Sequence, residues 1–311
     1  MRVESIAIVG TGVIGSSWAA FYATQGMDVK MFDVDADLCH KGHRQAVDTI
    51  RLLEAQGIIA ADKVEESISR IKTAAGLEQA AEGVQLVQES VAENYEVKQQ
   101  VFKALDAHTD ADVILASSSS GLLMTEIQQV TRHPGRCLIA HPFNQPHLIP
   151  LVELVPGDAT DEQTVATMKR FYEALGKVPV VLKKPVPGHI ANRLAMALWR
   201  EAVDLVVRGI ASVEDVDKAL CAGPGLRWAI MGPHMIYHLG GGEGGMDYFI
   251  DHFGPAVKTW WESMASWTTL PPEAKPLLVD GLKAELGNRS LSDMNRIRDE
   301  KLIKMLKILY E

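Results

Sequence analysis

The chain has 311 residues, 47% hydrophobic and 23% charged, with a formal net charge of −9 at pH 7. That length is long for one domain and suits two, and a core of this size needs no disulfide or metal to hold it. The negative balance argues against nonspecific binding to nucleic acid or to an anionic membrane, and no run approaches the ~18 apolar residues of a membrane span.

The first residues lead directly into a strand-like run too short for a secretory leader, so no targeting segment is expected. An apolar run at 5–9 ends in Gly10-Thr-Gly12-Val13-Ile14-Gly15, a helix is expected over 16–25, closed by Gly26, and a second apolar run at 28–32 ends at Asp33. Strand, glycine turn, helix and strand within about thirty residues make a βαβ unit. Two polar-faced helices are expected at 36–57 and 61–71. Strands follow at 84–88, 113–116, 137–140, 151–155 and 178–182, with helices at 94–107 and 161–175. Strands alternating with helices imply a mostly parallel sheet covered on both faces. Lys183-Lys-Pro-Val-Pro-Gly188 breaks this pattern, and apolar residues then recur at helical spacing over 189–209. A helix capped by Ser212 is expected to 222, and a charged helix at about 290–309. The boundary is placed near residue 186, giving domains 1–186 and 187–311. Cys39, Cys137 and Cys221 are odd in number and form no Cys-x-x-Cys pair, which fits a reducing cytoplasm.

A bare Gly-x-Gly-x-x-Gly is a weak signal. Here it follows a strand, opens a helix and is followed by an acid at the end of the next strand, the setting of a dinucleotide fingerprint. Gly10 permits the tight turn, Gly12 lets backbone N–H groups approach a pyrophosphate, Gly15 lets helix pack on strand, and Val13 and Ile14 sit at the helix start, where the dipole favours phosphate. Asp33 is placed to accept hydrogen bonds from ribose hydroxyls and to repel a 2′-phosphate, which favours NAD over NADP. The other reading of Asp33 is a turn residue before Asp35.

Ser120, His141 and Glu153 follow or lie within successive strands, and parallel strands deliver their C-terminal ends to one edge, where ligands of such sheets bind. Glu153, in Leu-Val-Glu-Leu-Val, is a carboxylate among apolar neighbours and needs a partner; His141 is the expected one. A histidine oriented by a carboxylate can take a hydroxyl proton while hydride leaves the carbon. Without the glycine motif, a purely structural His–Glu pair would be the simpler reading.

Ala116-Ser-Ser-Ser-Ser120-Gly-Leu-Leu, His141-Pro-Phe-Asn144-Gln-Pro, Leu151-Val-Glu153-Leu-Val-Pro and Pro187-Gly-His-Ile-Ala-Asn192-Arg-Leu resemble the successive motifs of the 3-hydroxyacyl-CoA dehydrogenase family, in order, over about residues 5–225. The resemblance implies a doubly wound, mostly parallel Rossmann-type sheet followed by an all-α C-terminal domain; the largely apolar helical surface expected of 187–311 points to a homodimer. It implies that His141 and Glu153 form a catalytic dyad, that Ser120 and Asn192 bond the substrate oxygens, and that Glu93 and Lys98 lie near the nicotinamide ribose. For Glu93 and Lys98 alone, a solvated helix start is the plainer reading.

Two departures bear on the substrate. The family's Gly-Pro-Phe segment here reads Gly223-Pro-Gly-Leu-Arg227-Trp228-Ala-Ile-Met-Gly-Pro233, and its closing motif is replaced by a charged helix. These segments, with Gly241-Gly-Glu-Gly-Gly-Met246 and Phe253-Gly-Pro-Ala-x-Lys-x-Trp260, are most similar to the L-carnitine dehydrogenase branch, while 141–156 also resembles L-gulonate 3-dehydrogenase, the lambda-crystallin relative. The expected reaction is therefore NAD-dependent oxidation of the 3-hydroxyl of a small hydroxy acid, L-carnitine to 3-dehydrocarnitine. L-gulonate, a 3-hydroxyacyl-CoA and a crystallin-like structural role stay open. Arg227 is the candidate for the substrate carboxylate. Trp228, with Trp199, Trp260, Trp261 and Trp267, is a candidate for a quaternary ammonium; core or dimer-interface packing is the other reading. His234 and His238, at i and i+4, lack a third ligand, and no metal is expected.

Overall fold

The computed structural model describes residues 3–310. It divides into two compact units, one ending at Arg193 and one beginning at Leu194. The first is built on a single sheet of β1 (Ser5–Val9), β2 (Asp28–Phe32), β3 (Ile71–Thr73), β4 (Leu86–Glu89), β5 (Ile114–Ser117), β6 (Cys137–Pro142), β7 (Leu151–Pro156) and β8 (Val178–Val181), in the order β3-β2-β1-β4-β5-β6-β7-β8. From β3 to β6 all neighbours run parallel.

The apolar runs read as strands because each feeds both faces. Ile6 and Ile8 of β1 join a buried cluster with Trp18, Tyr22 and Tyr172, while Ala7 and Val9 enter a second cluster with Phe102 and Leu105. Alternate side chains of a strand point to opposite faces, so two clusters mean a sheet covered on both sides. The chain winds outward in opposite directions from the β1/β4 junction. At such a switch point the connecting loops leave a crevice beyond the strand ends.

Three expectations need correction. The helix foreseen over 61–71 ends early: Val64–Ser69 is helical, and Ile71–Thr73 adds a strand at the edge beside β2. Only Ile71 of that strand is buried, so it carries no alternating pattern. β7 runs antiparallel to β6, with His141 opposite Glu153, so Glu153 reaches the site from mid-strand and not from a parallel strand's C-terminal end. The helix expected from residue 189 begins at Ala191, because Gly188 and His189 adopt left-handed φ values of 77° and 51°.

The described residues of the second unit form helices and no strand, with helices Val213–Ala222, Pro224–Ile230, Pro233–Gly240, Gly245–Ser263, Ala274–Leu286 and Leu291–Tyr310 following Ala191–Val207. Ser212 caps Val213–Ala222 by accepting from Asp215 N at 3.1 Å.

Candidate active site

The glycine turn is built by close backbone approach. A Cβ on Gly10, at φ 90°, would lie 2.6 Å from the carbonyl of Ser90, just beyond β4, and one on Gly15 would lie 1.9 Å from Gly10 O. At Gly12 an added Cβ meets nothing within 4 Å; that face opens onto a cleft of about 680 Å³ lined by Gly10, Gly12, Val13, Asp33 and Leu38. Helix Val13–Thr24 begins here, and its free N–H groups suit an anion. Asp33 Oδ2 accepts from Thr11 N at 2.8 Å and Thr11 Oγ1 at 3.1 Å, which ties the end of β2 to the turn. An open glycine, a helix start and an acid at the next strand's end fit a dinucleotide.

Along Ser90 and Val91 this cleft adjoins a second one of about 440 Å³, lined by Ile14, Glu93, Ser120, His141, Phe143 and Asn192 among others. His141 Nδ1 lies 2.9 Å from Glu153 Oε2. Glu153 Oε1 accepts from Ile190 N at 2.8 Å and Ala191 N at 3.0 Å. Burial alone would raise the Glu153 carboxyl; the bonds from His141 and these two N–H groups outweigh it and hold the group below the usual carboxylate range. An ionised Glu153 accepts a hydrogen bond from Nδ1–H, so the neutral ring presents its lone pair at Nε2.

Ser120 lies in the loop after β5, which a carboxylate organises. Glu93 Oε1 accepts from Ser119 Oγ at 2.7 Å, Ser120 N at 2.9 Å and Gly121 N at 3.0 Å. Burial opposes its ionisation, but the Ser119 hydroxyl, Lys98 and the two N–H groups prevail and lower it. Lys98 is buried 2.8 Å from Glu89 Oε1 and 3.5 Å from Glu93 Oε2. Glu89 also accepts from Val91 N and Ser117 Oγ, both at 2.6 Å. Asn192, second in its helix, belongs to the first compact unit and donates to Ser120 O at 3.3 Å.

Thus Ser120, His141, Asn192, Glu93 and Lys98 line one cleft, with Glu153 behind His141. Gly10, Gly12, Val13 and Asp33 line the other, and Gly15 packs beneath the turn. Arg227 and Trp228 lie on Pro224–Ile230 of the second unit. Residues that sequence reasoning missed are Glu89, Ser119, His189, Phe143 and Lys177. Glu89 carried a signal, a carboxylate one residue beyond an apolar run. Ser119, His189 and Lys177 carried none, because their contacts are with residues distant in sequence, and Phe143 shows only as a residue lining the cleft. No group of three metal-ligating side chains occurs among the described residues.

The 3-hydroxyacyl-CoA dehydrogenase NAD-binding domain model matches residues 5–185, and the C-terminal domain model of the same family matches 188–275. L-carnitine dehydrogenase of Streptomyces coelicolor is 40% identical over 306 residues, spanning 98% of this chain and 95% of that protein. L-carnitine dehydrogenase of Oceanobacillus iheyensis is 36% identical and spans 99% of this chain and 98% of its own. Among solved structures, an NAD+-dependent FHMPC 5-dehydrogenase superposes with a TM-score of 0.82 at 28% identity, covering 99% of this chain and 97% of that one. The chain belongs to the 3-hydroxyacyl-CoA dehydrogenase family and is an NAD-dependent dehydrogenase acting on a hydroxyl group.

Proposed function

We propose that this chain oxidises the 3-hydroxyl of L-carnitine to the 3-keto acid. The observation that carries the reading is the buried His141–Glu153 pair opening into a cleft that adjoins the glycine turn. Bound at that turn, NAD+ supplies the hydride acceptor. His141 Nε2 takes the hydroxyl proton, and Glu153 fixes the ring and stabilises the imidazolium that forms. The Ser120 hydroxyl and the Asn192 amide hold the reacting oxygen. Gly10, Gly12, Val13, Gly15 and Asp33 hold the adenosine and phosphate half, and Ile14, Glu93 and Lys98, in the second cleft, the nicotinamide-ribose end.

Carnitine is favoured over a thioester because full-length relatives at 36–40% identity carry that name. Arg227 is assigned to the substrate carboxylate and Trp228 to the ammonium end; a raised KM with unchanged kcat in R227M supports the first. The working unit is a cytoplasmic homodimer, formed through a second unit whose helices leave Trp260, Trp261 and Ile308 exposed, with residues 187–311 acting as the dimerisation domain. Sedimentation showing only a monomer at micromolar concentration would remove that part. The reaction is tested by NADH formation from L-carnitine, L-gulonate and 3-hydroxybutyryl-CoA side by side; faster turnover of either rival, or of none, sinks the assignment.

A further inference from the structure

The turn before helix Ala191–Val207 holds a residue that the proposed chemistry does not use. His189 is fully buried, and its φ of 51° follows Gly188 at 77°. Left-handed backbone is uncommon outside glycine and persists where the surroundings over-determine it. Here it directs the next two N–H groups, of Ile190 and Ala191, at Glu153 Oε1.

The side chain reaches the other two parts of the site. His189 Nε2 lies 3.1 Å from Ser119 O. A carbonyl only accepts, so Nε2 carries the hydrogen. Nδ1 is buried with no hydrogen-bond partner, so the ring holds one neutral tautomer. Its centroid is 5.2 Å from that of His141. Burial holds His189 below the ordinary histidine range. His141, facing it from β6, acts the same way. The Ser119 and Val186 carbonyls and Glu153 of β7 favour the charged form without offsetting this, and Glu93 stands on the far side of Ser119, bonded to its hydroxyl.

We propose that His189 is a positioning residue: a single buried imidazole that ties the backbone carrying Ser120 to the His141–Glu153 pair. The inference rests on the reading of that pair as the proton-handling group. Without the tie, the backbone carrying Ser120 is left to the longer bond from Asn192 Nδ2 to Ser120 O, at 3.3 Å, and the placement of Ser120 against His141 loosens.

Three substitutions separate this role from space-filling. In H189Q the amide nitrogen is as many bonds from Cα as Nε2 and can still donate to Ser119 O. H189N tolerates the left-handed turn but is one bond short. H189F fills the ring volume without a donor. Steady-state NADH formation from L-carnitine is followed, with NADH binding and thermal midpoint as controls. H189F and H189N lower kcat about 10- to 100-fold, the scale of a small misplacement at a reacting centre, with NADH affinity unchanged. H189Q recovers most of that loss, with the pH profile of the wild type. Wild-type turnover in H189F overturns the proposal, as does H189Q falling as far as H189F. A turnover-independent reading comes from imidazole 15N NMR: His189 stays a single Nε2–H tautomer across roughly pH 6 to 8, and its protonation there overturns the tie even if carnitine proves not to be the substrate. An active H141A variant would instead remove the reading of the pair, leaving the order of the His189 variants to be judged separately.

Discussion

Replacing Glu153 by Gln exchanges one oxygen for nitrogen, and the hydrogen bonds around it decide which one. Oε1 accepts from two backbone N–H groups, at 2.8 and 3.0 Å. Only the amide oxygen can take that place, because the reverse orientation sets donors against donors at two buried bonds, at ~1–3 kcal/mol each. The amide nitrogen is therefore driven to the Oε2 position, 2.9 Å from His141 Nδ1. There it donates, so Nδ1 must accept, and the ring hydrogen moves to Nε2. The nitrogen that should remove the hydroxyl proton then already carries one, and the negative charge that stabilises the imidazolium is gone as well.

The expected loss in kcat is about 10³- to 10⁴-fold, the scale seen when an orienting carboxylate is made an amide in other His-based sites. At ~1.4 kcal/mol per decade this is about 4–5.5 kcal/mol of transition-state stabilisation. NADH formation under saturating hydroxy acid measures it, with NADH fluorescence titration and a melting curve as controls. A loss below about tenfold with both controls intact would refute the tautomer argument and with it the role of Glu153.

Other substitutions test separate parts of the site. H141A should abolish turnover while leaving NADH binding nearly unchanged; equal activity would refute the base. G12A should melt like wild type yet bind NADH poorly, since its methyl meets open cleft, whereas G15A should lose both, since its Cβ would lie 1.9 Å from Gly10 O; fluorescence titration and melting curves that fail to separate the two would refute this account of the turn. Asp106 accepts from Arg136 Nη2 at 2.8 Å and Arg132 N at 2.7 Å. Burial would raise its carboxyl, but these bonds and His133 lower it from 3.8 to about 2. A folded value below the unfolded one stabilises fully above about pH 4 and is lost as pH falls toward 2. D106N should thus cost about 2 kcal/mol in urea unfolding at neutral pH, with the penalty fading on acidification; a penalty independent of pH would refute the assignment.

What was legible in the sequence was local. The glycine turn, the first βαβ unit and the paired carboxylate all show themselves in stretches of a few residues, because hydrophobic period, left-handed turns and a charge among apolar neighbours are properties of short segments. The edge strand Ile71–Thr73 was hidden because three residues with one buried side chain hold no pattern. The Glu89–Lys98 pair was hidden because its partners come from a strand end and a helix, and no spacing rule joins them. His189 was hidden because a φ of 51° has no signature in a residue other than glycine.

Glu153 shows how an observed pairing can be expected for an incomplete reason. The demand that a buried carboxylate find a partner is indifferent to strand direction and points to His141 either way. A shared parallel edge would only have put the two on one rim. The antiparallel return sets them directly opposite, and direct opposition brings side chains of one face together. It also makes the pair depend on register, because a slip of one residue would turn Glu153 to the other face of the sheet. The connection from Phe143 to Pro150 joins the two strands, and side chains from elsewhere hold it: Ser17 Oγ accepts from His147 N at 3.1 Å, and Lys177 reaches it from just before β8. Its ammonium, pressed down to about 7 by burial, donates to the Pro146 carbonyl and, at 3.0 Å, to Ile149 O. The alignment of His141 with Glu153 is thus held by the backbone hydrogen bonds of two strands, and the loop that joins them is braced by a buried lysine.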